Sequence, residues 1–394
     1  MLIGLVGKPS VGKSTFFKAC TLADVAIASY PFTTIKPNHG VGYVKIDCID
    51  KEFNVQCQPR TGYCIKHKRF VPVELMDVAG LVKGASEGRG LGNQFLDDLR
   101  QADAFIHIVD VSGETDAEGK EIKGYNPVYD VEMLENELDL WYTGILQKTW
   151  KGFARTVQNT KENFAKAVAK QFSGLKVNEE DVKRILLKSN YDAERPAEWT
   201  DIHLRNFCNE LRHLTKPMII AANKIDRPSS KENLERLKKA YPNIMIIPCS
   251  ADSELALREA NKAGLIEYTS GEAEFKLLKQ LNEKQKQALD IIKKNVIDVY
   301  GSTGVQDVLN KAVFELLNYI AVFPAGASKL ADSKGNILPD CFLVPLGTTA
   351  LDFAYKLHTD IGNGFVNAIN AKTKQVIGKD YKLKHRDGIE IMTR

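Results

Sequence analysis

No apolar run in this chain approaches the length of a membrane span; the longest are strand-sized pieces such as Met218 to Ala222, which speaks against a helical membrane protein. Neither sign of charge dominates. Against 54 Lys and Arg stand 50 Asp and Glu, a net charge of only +4, so any affinity for nucleic acid must come from local patches rather than the overall field. Internal repeats and low-complexity tracts are absent. With 44% hydrophobic and 26% charged residues over 394 positions, the chain can bury the cores of two or three domains and is not a wholly disordered protein. The amino terminus runs directly into an apolar strand and a glycine loop, leaving no removable leader, so the expectation is a cytoplasmic protein.

What is present begins with Gly7, Lys8, Pro9, Ser10, Val11, Gly12, Lys13 and Ser14, followed by Thr15. They match the pattern G-x-x-x-x-G-K-[ST] and directly follow Leu2, Ile3, Leu5 and Val6. A loop between a buried strand and a helix start points backbone N–H groups at phosphate. Lys13 is expected at the β- and γ-phosphates, and the Ser14 hydroxyl on Mg²⁺.

The base is read further on. Asn223, Lys224, Ile225 and Asp226 follow the apolar run ending at Ala222. A carboxylate there accepts from N1–H and the 2-amino group of guanine, whereas adenine presents a lone pair at N1 and no amino group. Asp226 therefore argues for GTP over ATP. Asn223 is expected to brace the loops and Lys224 to lie over the base. Ser250 and Ala251, after Ile244 to Ile247, resemble the turn whose Ala251 N–H meets guanine O6.

Between these motifs, Val73, Leu75 and Met76 alternate as a strand ending in Asp77, Val78, Ala79 and Gly80. Asp77 would hold Mg²⁺ through water, and the Gly80 N–H would touch the γ-phosphate. Tyr30 to Thr34 form an earlier switch in which Thr34, in preference to Thr33, joins the Mg²⁺ shell while the γ-phosphate is present. An ordinary proline turn is the alternative for that stretch. Lys13, Thr34 and Gly80 are the candidate catalytic set.

The run Tyr30 to Thr34, with Pro37, Asn38 and Gly40, and the long motif Asp77 to Leu96 resemble the Obg-related translation-factor GTPases, and within them the YchF, or Obg-like ATPase, subfamily. The resemblance covers nearly the whole chain. It implies an α/β fold: a phosphate-loop GTPase domain with a mostly parallel sheet, a helical, coiled-coil-like insertion and a carboxyl-terminal β-grasp TGS domain. Many YchF members replace the guanine-reading Asp by Glu and favour ATP; this chain keeps N-K-x-D and resembles archaeal-type members. Many small GTPases carry a water-orienting Gln where this chain has Leu81, which predicts slow intrinsic hydrolysis. The His that YchF relatives are thought to use has no counterpart in Ser112 to Tyr125, and Ser10 stands where some phosphate-loop GTPases use an Asn to help hold an activating K⁺.

About a hundred residues separate the strand Ala104 to Val109 from that at Met218, more than a plain loop holds. Val131, Leu134, Leu138, Trp141 and Ile145 recur at helical spacing, and Phe153, Val157, Phe164, Val168 and Phe172 continue it. The expected division is GTPase domain at 1–114 and 214–320, helical insertions at 115–213 and 252–302, and TGS domain at 321–394. Lys372, Lys374, Lys379, Lys382, Lys384 and Arg386 in the tail, and a basic helix from Lys148 to Lys170 carrying Lys151, Arg155, Lys161 and Lys166, are either solvated faces or contacts to ribosomal RNA. The resemblance implies the ribosome as partner.

Cys48, Cys57, Cys64 and His67 crowd one segment. Eight- and six-residue gaps lack the C-x-x-C knuckle of common zinc sites, leaving Zn²⁺, a disulfide such as Cys57 to Cys64, or free thiols open. The expected function is a slow, Mg²⁺-dependent GTPase switching on the ribosome. The alternative is a nucleotide-gated RNA-binding scaffold, or an ATP-preferring relative, with incidental hydrolysis.

Overall fold

The computed structural model describes residues 1–22, 39–78, 84, 99–189, 191–326, 329–332 and 334–394. Thr33, Thr34, Gly80 and Leu81 lie outside them. Two compact units emerge: Met1–Ala19, Glu74–Ala256 and Glu283–Val308 form the first, and Cys20–Val73, Leu257–Asn282 and Leu309–Arg394 the second.

Among the described residues the strands up to Pro248 are β1 (Leu2–Val6), β2 (His39–Asp47), β3 (Tyr63–Ile65), β4 (Lys68–Asp77), β5 (Ala104–Asp110), β6 (Met218–Asn223) and β7 (Ile246–Pro248). In the first unit the end of β4 pairs with β1, and β1, β5, β6 and β7 follow in parallel. Every residue of β1, β5 and β6 is buried, which is why they read as apolar runs rather than alternating patterns. His107 is a polar residue in the middle of β5; burial pushes its imidazole down to about 3, so it stays neutral. Strand order reverses at β1, with β4 on one side and β5 on the other. Loops leaving carboxyl ends at such a point open a crevice, and the glycine loop leaves β1 there.

Helices Val128–Gln147, Trp150–Thr160, Phe164–Gln171, Glu179–Lys188 and Asp201–Thr215 occupy the expected insertion. They share one apolar core with the sheet, in which Leu2, Met76 and Phe105 meet Leu138, Trp141, Phe172 and Phe207. The continuous basic helix expected from Lys148 to Lys170 is broken. Lys161 closes the first piece at φ 53, a left-handed cap, and Asn163 starts the next by accepting the Lys166 N–H at 3.0 Å, as an N-cap does.

The segment 252–302 also departs from its helical expectation. Between helices Ala251–Lys262 and Glu283–Ile292 it holds an antiparallel hairpin, Ile266–Tyr268 with Phe275–Leu277. Ile266 and Tyr268 are buried while Glu267 between them is not, a period of two that suits a strand.

In the second unit, a five-stranded sheet runs Phe342–Pro345, Tyr319–Pro324, Asp387–Thr393, Phe365–Asn370, Val376–Ile377. Helix Ala350–Leu357 starts at a capping box of Thr349 and Asp352 and buries Phe353 against Ile320, Val344 and Ile389. Elsewhere in this unit, β3 pairs antiparallel with the start of β4 across Lys66 and His67, at φ 48 and 62, the geometry of a tight hairpin turn. Among the described residues no helix is long and apolar enough to cross a membrane.

Candidate nucleotide-binding site

The glycine loop takes its form from two positions where a side chain does not fit. Gly7 has φ +152, and a Cβ there would lie 2.5 Å from the Ile108 carbonyl oxygen; at Gly12, φ +93, it would lie 2.5 Å from Asn223 Nδ2. The backbone can then wrap back on itself. The Lys13 ammonium donates to the carbonyls of Gly7 at 2.9 Å and Lys8 at 2.7 Å. Burial pushes that ammonium down to about 8, opposed by the charge of Asp77. Helix Lys13–Thr21 begins here, with Thr15 in its first turn. Ser14 Oγ donates to Asp77 Oδ2 at 2.9 Å, so the two expected metal ligands from β4 and the helix start are neighbours.

Asn223 joins the other elements. Its Nδ2 donates to the Val11 carbonyl at 2.8 Å, and its Oδ1 accepts the Ala251 N–H at 3.0 Å. The Ala251 N–H expected at guanine O6 is thus bonded to Asn223 in this structure. Lys224, at φ 67, donates to the Ser10 carbonyl at 3.0 Å and to Asp110 Oδ2 at 2.8 Å. Its ammonium thus braces the glycine loop against the end of β5. Asp226 Oδ1 accepts from Ser250 Oγ at 2.8 Å, and Ser250 N donates to the Thr303 carbonyl at 2.9 Å. The residues read from N-K-x-D and S-A therefore form one hydrogen-bonded platform.

Two residues that sequence reasoning passed over organise this platform. Asp110, fully buried at the end of β5, accepts from Ser112 Oγ at 2.5 Å and Thr115 Oγ1 at 2.8 Å besides Lys224. Burial alone would raise its carboxyl, but these donors hold it below the usual range. Its position at the end of an apolar strand was the only signal. The other is Asp130. Lys8, a variable position of the glycine-loop pattern expected to join the nucleotide cradle, turns its side chain inward. Its ammonium lies 3.0 Å from Asp130 Oδ2, donates to the Thr115 carbonyl at 2.8 Å and sits 3.9 Å from the Tyr125 ring centroid. Only the Lys8 backbone faces the loop interior. Pro9 is covered by the segment around Gly119, where an added Cβ would come within 2.9 Å of Pro9 Cβ.

Of the basic tail, Lys379, Lys382 and Lys384 are exposed. Lys372 and Arg386 instead pair with Glu52, each at 2.5 Å, so two of the six tail cations are engaged within the protein. In the helical insertion, Lys151, Arg155 and Lys170 line a groove of about 960 Å³.

Comparison with known proteins agrees with this architecture. Residues 2–136 match the family model of the 50S ribosome-binding GTPase, 221–326 that of the Obg-like GTPase YGR210-like G4 motif-containing domain, and 329–393 that of the TGS domain. An uncharacterized GTP-binding protein of Methanocaldococcus jannaschii is 50% identical over 393 residues, covering 100% of this chain and 99% of the relative. The ribosome-binding ATPase YchF of Mycoplasma genitalium is 30% identical, covering 92% of this chain and 86% of its own length. The crystal structure of a GTP-binding protein from Pyrococcus horikoshii is similar over 100% of both chains at 41% identity, with a TM-score of 0.81. With its glycine loop, N-K-x-D platform and TGS module in that order, the chain belongs to the Obg-related GTPases as an archaeal-type member of the YchF, or Obg-like ATPase, subfamily.

Proposed function

We propose that the chain is a Mg²⁺-dependent GTPase of low intrinsic rate that acts as a nucleotide switch on the ribosome or its RNA. Asp226 carries the base choice. It is held by Ser250 Oγ at 2.8 Å beside the Asn223 bridge, and its carboxylate can accept both donors of guanine's edge but finds an acceptor in adenine. Ser14 Oγ and Asp77 Oδ2, 2.9 Å apart, are hard oxygen donors of the kind Mg²⁺ takes, which supports Ser14 and Asp77 as its holders. When bound, the ion would neutralise phosphate charge. Lys13, whose ammonium donates to carbonyls of its own loop, would transfer its hydrogen bonds to the triphosphate, and the backbone N–H groups around Gly12 would orient it.

The partner reading rests on the TGS module, on relatives named ribosome-binding ATPases, and on the exposed Lys379, Lys382 and Lys384. Leu81 in place of a Gln, and the lack of His in 112–125, favour one second reading, a nucleotide-gated scaffold with incidental turnover. GTP and ATP affinity and turnover, measured with and without purified ribosomes, test both. Equal or tighter ATP binding refutes the base assignment; nucleotide-dependent ribosome binding without stimulation of turnover favours the scaffold.

A further inference from the structure

Away from the nucleotide, one cluster in the second unit gathers donors that phosphoryl transfer does not use. Cys48 follows the last residue of β2, Asp50 lies in the short turn Ile49–Phe53, and Cys64 lies on β3. The intervening loop returns Cys57 to the same spot. One ligand atom from each of Cys48, Asp50, Cys57 and Cys64 lies within 4.8 Å of all the others. Cys48 Sγ is 3.6 Å from Cys57 Sγ, and Cys64 Sγ is 3.8 Å from Asp50 Oδ2. Ligands at about 2.3 Å from a tetrahedral zinc are separated from one another by roughly 3.8 Å. A disulfide requires sulfurs about 2 Å apart, and Cys48, Cys57 and Cys64 form none here.

Two further observations bear on the charge of this cluster. The Asp50 side chain is 0% exposed, and it is already oriented: Oδ2 accepts the Cys57 N–H at 3.0 Å, and Oδ1 is 2.9 Å from His67 Nδ1. Such hydrogen bonds commonly position ligating carboxylates. Arg69 is 0% exposed. Its guanidinium lies 3.6 Å from Cys57 Sγ and donates to the carbonyls of Leu338 at 3.1 Å and Pro339 at 2.9 Å; among the described residues no carboxylate forms an ion pair with it. A buried guanidinium calls for a counter-charge. Neutral thiols leave only Asp50, itself 2.9 Å from His67, to supply it, whereas three thiolates and that carboxylate around a divalent ion leave the cluster net negative next to Arg69.

We propose that Cys48, Cys57, Cys64 and Asp50 form a structural Zn²⁺ site, with His67 orienting Asp50 and Arg69 balancing its charge. Four protein ligands fill the tetrahedron, the hallmark of a structural rather than a catalytic zinc. The ion would cross-link the end of β2, the turn after it and the β3–β4 hairpin. Through Arg69 it would also fix residues 338–339 on the approach to the TGS sheet.

The test uses the full-length chain, purified under reducing conditions from zinc-supplemented cells and dialysed against a mild chelator. Elemental analysis should find about one zinc per chain. Cys57→Ser should lose it, while Cys341→Ser, which removes a buried thiol outside the ligand set, should keep it. Because Cys57→Ser can also misfold, the wild-type chain supplies a second measurement. After metal removal, Co²⁺ should produce sulfur-to-cobalt charge-transfer absorption together with the visible bands of a tetrahedral ion, and zinc should abolish both. Sub-stoichiometric zinc with no charge-transfer band overturns the proposal. So does a non-reduced, denatured chain that titrates two thiols short of seven, which would assign a pair to a disulfide.

Discussion

Replacing Lys8 by Met removes the charge facing Asp130 while keeping the length and apolar stem of the side chain. Lys8 and Asp130 are 0% and 1% exposed and 3.0 Å apart, so the carboxylate cannot turn to water. Removing one partner of a buried pair costs about 3–5 kcal/mol. Burial already raises the Asp130 carboxyl above its ordinary value, opposed chiefly by the charge and hydrogen bond of Lys8; without Lys8 the rise grows. The sign follows from linkage. A carboxyl whose folded pKa lies above its unfolded one binds its proton more readily when folded, so acid stabilises that state. The deficit of Lys8→Met should therefore be largest above neutrality and shrink by up to about 1.4 kcal/mol per pH unit once Asp130 begins to protonate. Adding Asp130→Asn, which can still accept from the Tyr125 hydroxyl now 2.9 Å from Asp130, should recover about 2 kcal/mol or more at pH 8. Urea unfolding followed by tryptophan fluorescence is the assay, because Trp141, Trp150 and Trp199 all lie in the apolar core of the first unit. A loss below about 1 kcal/mol, or a deficit that widens in acid, would refute the reasoning.

Other expectations follow from the same geometry. Lys13→Ala should abolish tight nucleotide binding, and Asp226→Asn should weaken GTP by several orders of magnitude while relaxing discrimination against ATP; competition titrations with labelled nucleotides read both. His107 stays neutral down to about 3, whereas the unfolded chain takes the proton near 6.5, so acid favours unfolding between those values by up to about 1.4 kcal/mol per unit. His107→Leu should flatten that part of the stability profile, and an unchanged slope would exclude His107 as its source. Replacing Lys379, Lys382 and Lys384 by Ala should reduce ribosome co-sedimentation and flatten its salt dependence without changing GTP affinity; an unchanged bound fraction would assign these charges to solvation.

The motifs legible in the sequence were those whose chemistry is local. The glycine loop follows its strand within a few residues, and the N-K-x-D run starts on the last residue of β6. Contacts between distant positions left no such trace. Lys8 fits the loop pattern equally well facing in or out, and only the fold brings Asp130 to it. Arg386 counted as one more basic residue until the chain placed Glu52 beside it. The apolar period continued across Lys161, but the side-chain spacing does not record the left-handed backbone that ends a helix there. The cysteines lacked a recognisable knuckle because their donors come from a strand end, a loop and a hairpin rather than from one turn.

Asn223 has an orientation that cannot be reversed. The Val11 carbonyl only accepts and the Ala251 N–H only donates, so a flipped amide would face like with like at both ends. The glycine loop and the Ala251 turn consequently form one pre-assembled surface for the two halves of the proposed nucleotide. On the proposed assignment, a shift of the glycine loop would be transmitted through Asn223 to the Ala251 turn, and the reverse would also hold. Guanosine and inorganic triphosphate should bind as interdependent fragments, each weaker alone than half of the intact ligand's free energy would suggest, and Asn223→Ala should make their contributions independent. Selection for a different base would then alter the grip on the phosphates as well, which restricts the substitutions open to this platform.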